Sequence, residues 1–272
     1  MLIRLTYWLF MLQLAPIPGL AQPKRLFLLA GQSNAVGHGS ADSSVRCAPG
    51  MAYVYRSASD SLVPLADPVG TDEPPFQAAK TGSIAPAFAE AYYRHTGQQI
   101  IIVSAGRGGA SCHRQAEITG SGTWDTQGQL LLFEAAVTQL QQASRKTGEP
   151  VSGIIWLQGE RDANAINAGQ LTPAAYQLAL TDLIGRFRSW LGSNVRFYIV
   201  QTGHYTRHPV LGFDQVQDAQ ASVGRTLQNV HVVYRDTDRF TQKGWMTDAI
   251  HYNQTGLNHI GRSIAQTIAD FN

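Results

Sequence analysis

Charge is scarce in this chain. Asp, Glu, Lys and Arg make up only 15% of its 272 residues, against about 25% in an ordinary soluble domain. The 21 Lys and Arg nearly cancel the 19 Asp and Glu, leaving a net +2. No Lys/Arg cluster, aromatic-interleaved basic stripe or zinc-finger spacing occurs, which argues against a phosphate-tracking surface and so against nucleic acid as a partner. Cysteine is also rare. Cys47 and Cys112 form no C-x-x-C motif, so thiol redox chemistry is disfavoured, and they permit either one disulfide or two buried thiols. No apolar run reaches the roughly 20 residues that span a bilayer. What is abundant is ordinary: 44% hydrophobic residues, enough for a folded core and inconsistent with disorder, collagen or coiled coil.

The N-terminus is distinctive. Arg4 precedes an apolar stretch from Leu5 to Leu14, interrupted beyond it by Pro16 and Pro18, and Ala21 is a small residue at a natural cleavage position. This predicts a secretory signal over residues 1–21 and one exported domain over 22–272, out of contact with membrane once cleaved. A retained membrane anchor is the competing interpretation.

Beyond it, short apolar runs alternate with amphipathic stretches, the pattern of a parallel sheet with crossover helices. Strands are expected at Arg25–Ala30, Ala52–Tyr55, Ile100–Ser104, Gly153–Leu157, Arg196–Gln201 and Val230–Tyr234. Helices are expected at Pro86–His95, Gly128–Arg145, Pro173–Trp190, Phe213–Leu227 and Gln254–Phe271. Residues 63–81, rich in Pro, Asp and Gly, read as a surface excursion able to border a site.

Parallel sheets place ligands beyond the carboxyl ends of their strands, so the turns there are where chemistry belongs. After the first strand comes Gly31-Gln32-Ser33-Asn34-Ala35-Val36-Gly37, with a serine in a tight turn that serves either as nucleophile or as helix cap. Ala35 stands where the G-x-S-x-G elbow has its second glycine. Near the C-terminus, Asp248 and His251 lie three apart, a spacing that lets a carboxylate hold an imidazole, and a serine hydroxyl needs such a partner to become nucleophilic. Gly106-Arg107-Gly108-Gly109-Ala110-Ser111 offers backbone N–H groups for close approach to a reacting oxygen and lacks both nucleotide-binding glycine patterns. Trp156-Leu157-Gln158-Gly159-Glu160-Arg161-Asp162 places an amide and two carboxylates after a strand. His204 and His208 have no H-E-x-x-H context, and Pro209 follows, which disfavours a zinc helix.

GQSNAVG (31–37), GGAS (108–111), WLQGERD (156–162) and DAIH (248–251), in this order over most of the chain, resemble the SGNH hydrolase superfamily. Within it they resemble the sialate O-acetylesterase and acetylxylan esterase-like carbohydrate esterases. The resemblance implies an α/β fold: a three-layer α/β/α sandwich, flavodoxin-like, around a parallel sheet of about five strands. It implies a serine esterase without metal or cofactor, acting on acetylated carbohydrate, with Ser33 as nucleophile, His251 as base and Asp248 orienting it. The oxyanion hole would comprise the Ser33 N–H, a glycine N–H at Gly109 (or Gly108) and the Gln158 amide. Gln32, Asn34, Gly108, Glu160 and Trp124 are expected to bind substrate or support these groups, Trp124 being either a sugar platform or a core residue. The chain departs from the family at Ala35, where methionine is usual, and at Arg161, where a small residue is frequent. An esterase for another acyl group and a non-catalytic carbohydrate-binding protein on the same fold are the alternatives.

Overall fold

The computed structural model describes residues 24–70 and 74–271, so the expected signal over 1–21 lies outside the described residues. The central strand is β1 (Lys24–Gly31), followed by β2 (Ala52–Arg56), β3 (Ser61–Pro64), β4 (Gln99–Gly106), β5 (Val151–Leu157), β6 (Phe197–Val200) and β7 (Val230–Tyr234), which form one sheet in the order β3-β2-β4-β1-β5-β6-β7. All pairings are parallel except the β2–β3 hairpin. Among the described residues the sheet therefore has seven strands where the resemblance implied about five. β3 escapes sequence reading because it is four residues long, ends in proline and lacks a period-two apolar pattern.

Strand β1 reads KRLFLLAG and is buried on both faces, as a central parallel strand must be. Leu26, Leu28 and Ala30 point into one core layer with α3 (Phe133–Thr147), α5 (Pro173–Leu191) and α6 (Leu211–Thr226). Phe27 and Leu29 point into the other, with α2 (Ala85–Thr96) and α7 (Gln254–Asp270). Alternation along a strand thus divides the core into two layers, giving the three-layer sandwich. Two short helices also follow strands directly: α1 (Ser33–Val36) after β1 and α4 (Glu160–Asn167) after β5. The sequence of α4, ERDANAIN, has too few apolar residues to display a helical stripe. Helix α3 starts at Phe133 rather than Gly128, because Glu117 accepts the N–H groups of Gln129 and Leu130 and holds that segment as a loop.

Cys47 and Cys112 are separate thiols. Cys112 belongs to the α3/α5 layer and Cys47 packs against the α2/α7 layer, so the sheet lies between them. Among the described residues no helix is long and apolar enough to cross a membrane.

Candidate active site

Register brings the motif turns together. Gly31 pairs with Gly106 on one side and Leu157 on the other, so the residues that follow each strand end emerge level with one another. Neighbouring strand connections leave in opposite directions on either side of β1, which makes its carboxyl end the topological switch point and opens a crevice there. Gly31 has φ +142°, and a Cβ on it would stand 2.0 Å from the Leu157 carbonyl oxygen. Only glycine lets the chain turn this close to β5 and present Ser33.

A cleft of about 480 Å³ opens at this point, and Gln32, Ser33, Gly108, Gly109, Arg161 and His251 are among its walls. Ser33 and His251, 218 positions apart in sequence, thus face the same space. His251 Nδ1 lies 2.7 Å from Asp248 Oδ2, while Asp248 Oδ1 accepts the N–H groups of Ile250 (2.9 Å) and His251 (2.8 Å). One carboxylate therefore shapes the turn and fixes the ring, leaving Nε2 as the nitrogen able to take a proton. Burial works against the Asp248 charge, but the hydrogen bonds from the His251 ring and the two backbone groups outweigh it and hold its pKa at about 2. A depressed carboxylate stabilises the fold fully above its ordinary value of 3.8 and loses that contribution as pH falls towards 2. The Ser33 hydroxyl has no hydrogen-bond partner among the described residues and is open to the cleft. Such catalytic contacts commonly tighten only when substrate is bound.

Asn34 joins three of the loops around the cleft. Its Nδ2 donates to Glu160 Oε1 (2.7 Å) and to the Ile250 carbonyl (3.2 Å), while its Oδ1 accepts the Tyr252 N–H (3.1 Å). The turn bearing the serine, the start of α4 and the loop bearing the histidine are thereby tied through one buried amide. Burial raises the Glu160 pKa, opposed by the Asn34 hydrogen bond. Thr247 adds a second tie, its hydroxyl donating to the His38 carbonyl at 3.2 Å.

Gln158 and Trp124 are buried behind the cleft wall. Gln158, expected as an amide donor on the cleft, is buried behind it, where its Nε2 donates to the Ala110 carbonyl (3.2 Å) and to Asp162 Oδ2. Asp162, pushed up to about 6 by burial, also accepts the Cys112 and His113 N–H groups. Gln158 and Asp162 thus clamp the glycine-rich loop to α4. Trp124 is not a sugar platform: it is fully buried, meets Trp156 edge-on at 5.1 Å and donates its indole N–H to the Gly31 carbonyl at 3.3 Å.

Gln32, by contrast, has its side-chain amide on the cleft wall. Its Oε1 is held by the N–H groups of Arg161 (3.2 Å) and Gly159 (3.4 Å) and by Gln158 Nε2 (3.4 Å), and among the described residues its Nε2 has no acceptor. The two glycines of the Gly-Gly pair differ in their hydrogen bonding. The Gly108 N–H donates to Gln77 Oε1 at 2.8 Å, whereas the N–H groups of Gly109 and Ser33 have no acceptor among the described residues. Gly109 has φ +72°, a left-handed conformation that glycine adopts without strain.

Sequence reasoning missed His38, Asn164, Ile118 and Ile250 on the cleft. His38 follows the GQSN block closely, but nothing in its spacing announced that its ring stacks on His251, 3.9 Å between centroids and 4° from parallel. Burial, with the neighbouring charges of His251 and Lys80, draws His38 down to about 4, so it is uncharged at neutral pH. Gln77 comes from the 63–81 excursion and does line the cleft. Among the described residues no three His, Cys, Asp or Glu side chains are arranged to hold a metal ion.

The model of a family described as carbohydrate esterase, sialic acid-specific acetylesterase, matches residues 23–270. Solved structures share the fold. A protein from Arabidopsis thaliana is 23% identical, over 91% of this chain and 98% of its own, with a TM-score of 0.70. NanS is 15% identical over 92% and 98%, with a TM-score of 0.63. A carbohydrate esterase family 2 enzyme with a carbohydrate binding domain, from Corynascus thermopiles (Myceliophthora fergusii), is 14% identical over 93% of this chain and 68% of its own, with a TM-score of 0.54. A search of curated proteins found no match.

Proposed function

The chain belongs to the sialic acid-specific acetylesterase family of carbohydrate esterases, and from that membership we propose that it is an exported serine esterase removing O-acetyl groups from sugars through an acetyl-enzyme. The observation that carries this reading is the meeting of Ser33 and His251 on one cleft, with Asp248 bonded to the far nitrogen of the imidazole.

His251 Nε2 takes the Ser33 proton as Oγ attacks the acetyl carbonyl, and Asp248 stabilises the resulting imidazolium without itself becoming protonated. The negative charge that develops on the carbonyl oxygen is met by the N–H groups of Ser33 and Gly109 and by the Gln32 side-chain amide. These donors are held in place by the ties described above, so little reorganisation is needed during reaction. The imidazolium then protonates the departing sugar oxygen. In the second half-reaction His251 activates water, which releases acetate and restores the serine. Arg4 and the apolar stretch from Leu5 to Leu14 support export of a domain spanning 22–272.

Acetate release from a panel of O-acetylated sialic acids, acetylated xylan and simple acetylated sugars tests the assignment. Turnover of none of them, with 4-nitrophenyl acetate also untouched, would refute it. The pH profile gives a second check. Asp248 stays ionised down to about 2 and His38 stays neutral down to about 4, so neither changes its charge over mildly acid pH. On acidification kcat/KM should fall by about tenfold per pH unit, the mark of a single essential base. A flat profile from neutral to mildly acid pH would contradict that role.

A further inference from the structure

His38 lines the cleft and takes no part in the proton transfers, yet the chain fixes it firmly. On one side the Gly37 carbonyl accepts the Lys80 N–H (3.0 Å) and the Gly39 N–H donates to the Gly82 carbonyl (2.9 Å). On the other, the His38 carbonyl accepts the Thr247 hydroxyl at 3.2 Å, and Thr247 in turn donates its N–H to the His251 carbonyl at 2.8 Å. Gly37 has φ +107°, and a Cβ on it would stand 2.5 Å from the Gly82 carbonyl oxygen, so this approach requires glycine. The result is a ring laid within 4° of parallel on that of His251, 3.9 Å between centroids. Among the described residues neither ring nitrogen of His38 has a hydrogen-bond partner, so its contact with the catalytic set is made through the ring face.

Asp248 bonds one nitrogen of His251, and the Asp248 side chain is 52% exposed. A single bond to a water-accessible carboxylate fixes a point and leaves the ring free to turn about it, whereas Nε2 must stay aimed at Ser33 for the proton to pass. A flat neighbour supplies the plane. The stack also suits a charged ring better than a neutral one, because two uncharged π systems disfavour lying face to face while a cation is drawn to a π face. Burial, with the neighbouring charges of His251 and Lys80, keeps His38 uncharged down to about 4 against the opposing pull of Asp248, so the two rings do not carry like charge at neutral pH. We propose that His38 is a positioning residue that holds the plane of His251 and favours its imidazolium as Ser33 attacks. This inference rests on the esterase assignment above and adds to the serine, histidine and aspartate a side chain that acts through the histidine.

The test compares wild type, His38→Leu and His38→Phe on 4-nitrophenyl acetate, with His38→Leu also placed in a His251→Ala background. Leucine fills the space without offering a flat ring, so kcat should fall by about 10–100-fold, the scale of a small misplacement of a reacting group, with KM within about threefold. Phenylalanine restores a π face but has no ring nitrogen, and kcat should return to within about threefold of the wild type. Where His251 is already alanine, the leucine substitution should cost less than about twofold, since His38 acts only through that ring. His38→Asn carries the same prediction as His38→Leu should the leucine variant not fold. Wild-type kcat in His38→Leu, failure of His38→Phe to recover it, or a leucine effect that persists without His251 each overturns the proposal and leaves the esterase assignment standing. A wild type inactive on 4-nitrophenyl acetate and on O-acetylated sugars brings down both.

Discussion

Ser33→Ala should lower acetyl-ester turnover by about 10⁴–10⁶-fold and leave the protein folded. The size follows from the role: removing the nucleophile of a serine–histidine–aspartate set leaves only what the oxyanion donors and substrate binding contribute. The fold should survive because the Ser33 hydroxyl has no hydrogen-bond partner among the described residues, so its removal strands no donor or acceptor. The change in unfolding free energy should stay below about 1 kcal/mol, whereas leaving a buried polar group unpaired costs about 1–3 kcal/mol. Steady-state kinetics beside urea denaturation separates the two quantities. A variant with residual activity near the wild type would remove Ser33 from the mechanism.

The second large effect concerns which glutamine meets the oxyanion. Gln32→Glu keeps the Oε1 that accepts from Gly159 and Arg161 but replaces the amide donor facing the cleft with an anionic oxygen. The kcat should drop by about 10²–10³-fold or more, the loss expected for one oxyanion donor, with KM changed far less. Gln158→Ala should behave in the opposite way. Its amide braces Ala110 and Asp162, so its loss should appear as about 1–2 kcal/mol of stability, with kcat reduced by less than about tenfold. The reverse pattern would return the donor role to Gln158.

The two glutamines illustrate what the sequence can carry. Both residues stand directly after a strand in a polar motif, and the choice between them depends on side-chain direction, which spacing does not encode. The Gly-Gly pair is the same case: Gly108 and Gly109 are equivalent in sequence until Gln77, 31 positions away, takes the N–H of Gly108. Strand periodicity did locate six of the seven strands and the rim where the motifs meet, because an apolar strand buried on both faces is itself a sequence pattern. Helix α4 left no such trace, since its surroundings rather than its own residues hold it, and with it the shared face of Arg161 and Asn164 stayed hidden. The indole of Trp124, between platform and core on sequence grounds, was decided by long-range packing against Phe76 and Trp156.

Covalent labelling with a fluorophosphonate, with the adduct located by peptide mass spectrometry, interrogates the catalytic set directly. The wild type should acquire one phosphonyl group on the Ser33 hydroxyl, and His251→Ala should label at least about 100-fold more slowly, the contribution of a positioned general base. A wild type that hydrolyses acetyl esters yet takes the probe on another residue, or takes none, would contradict the account.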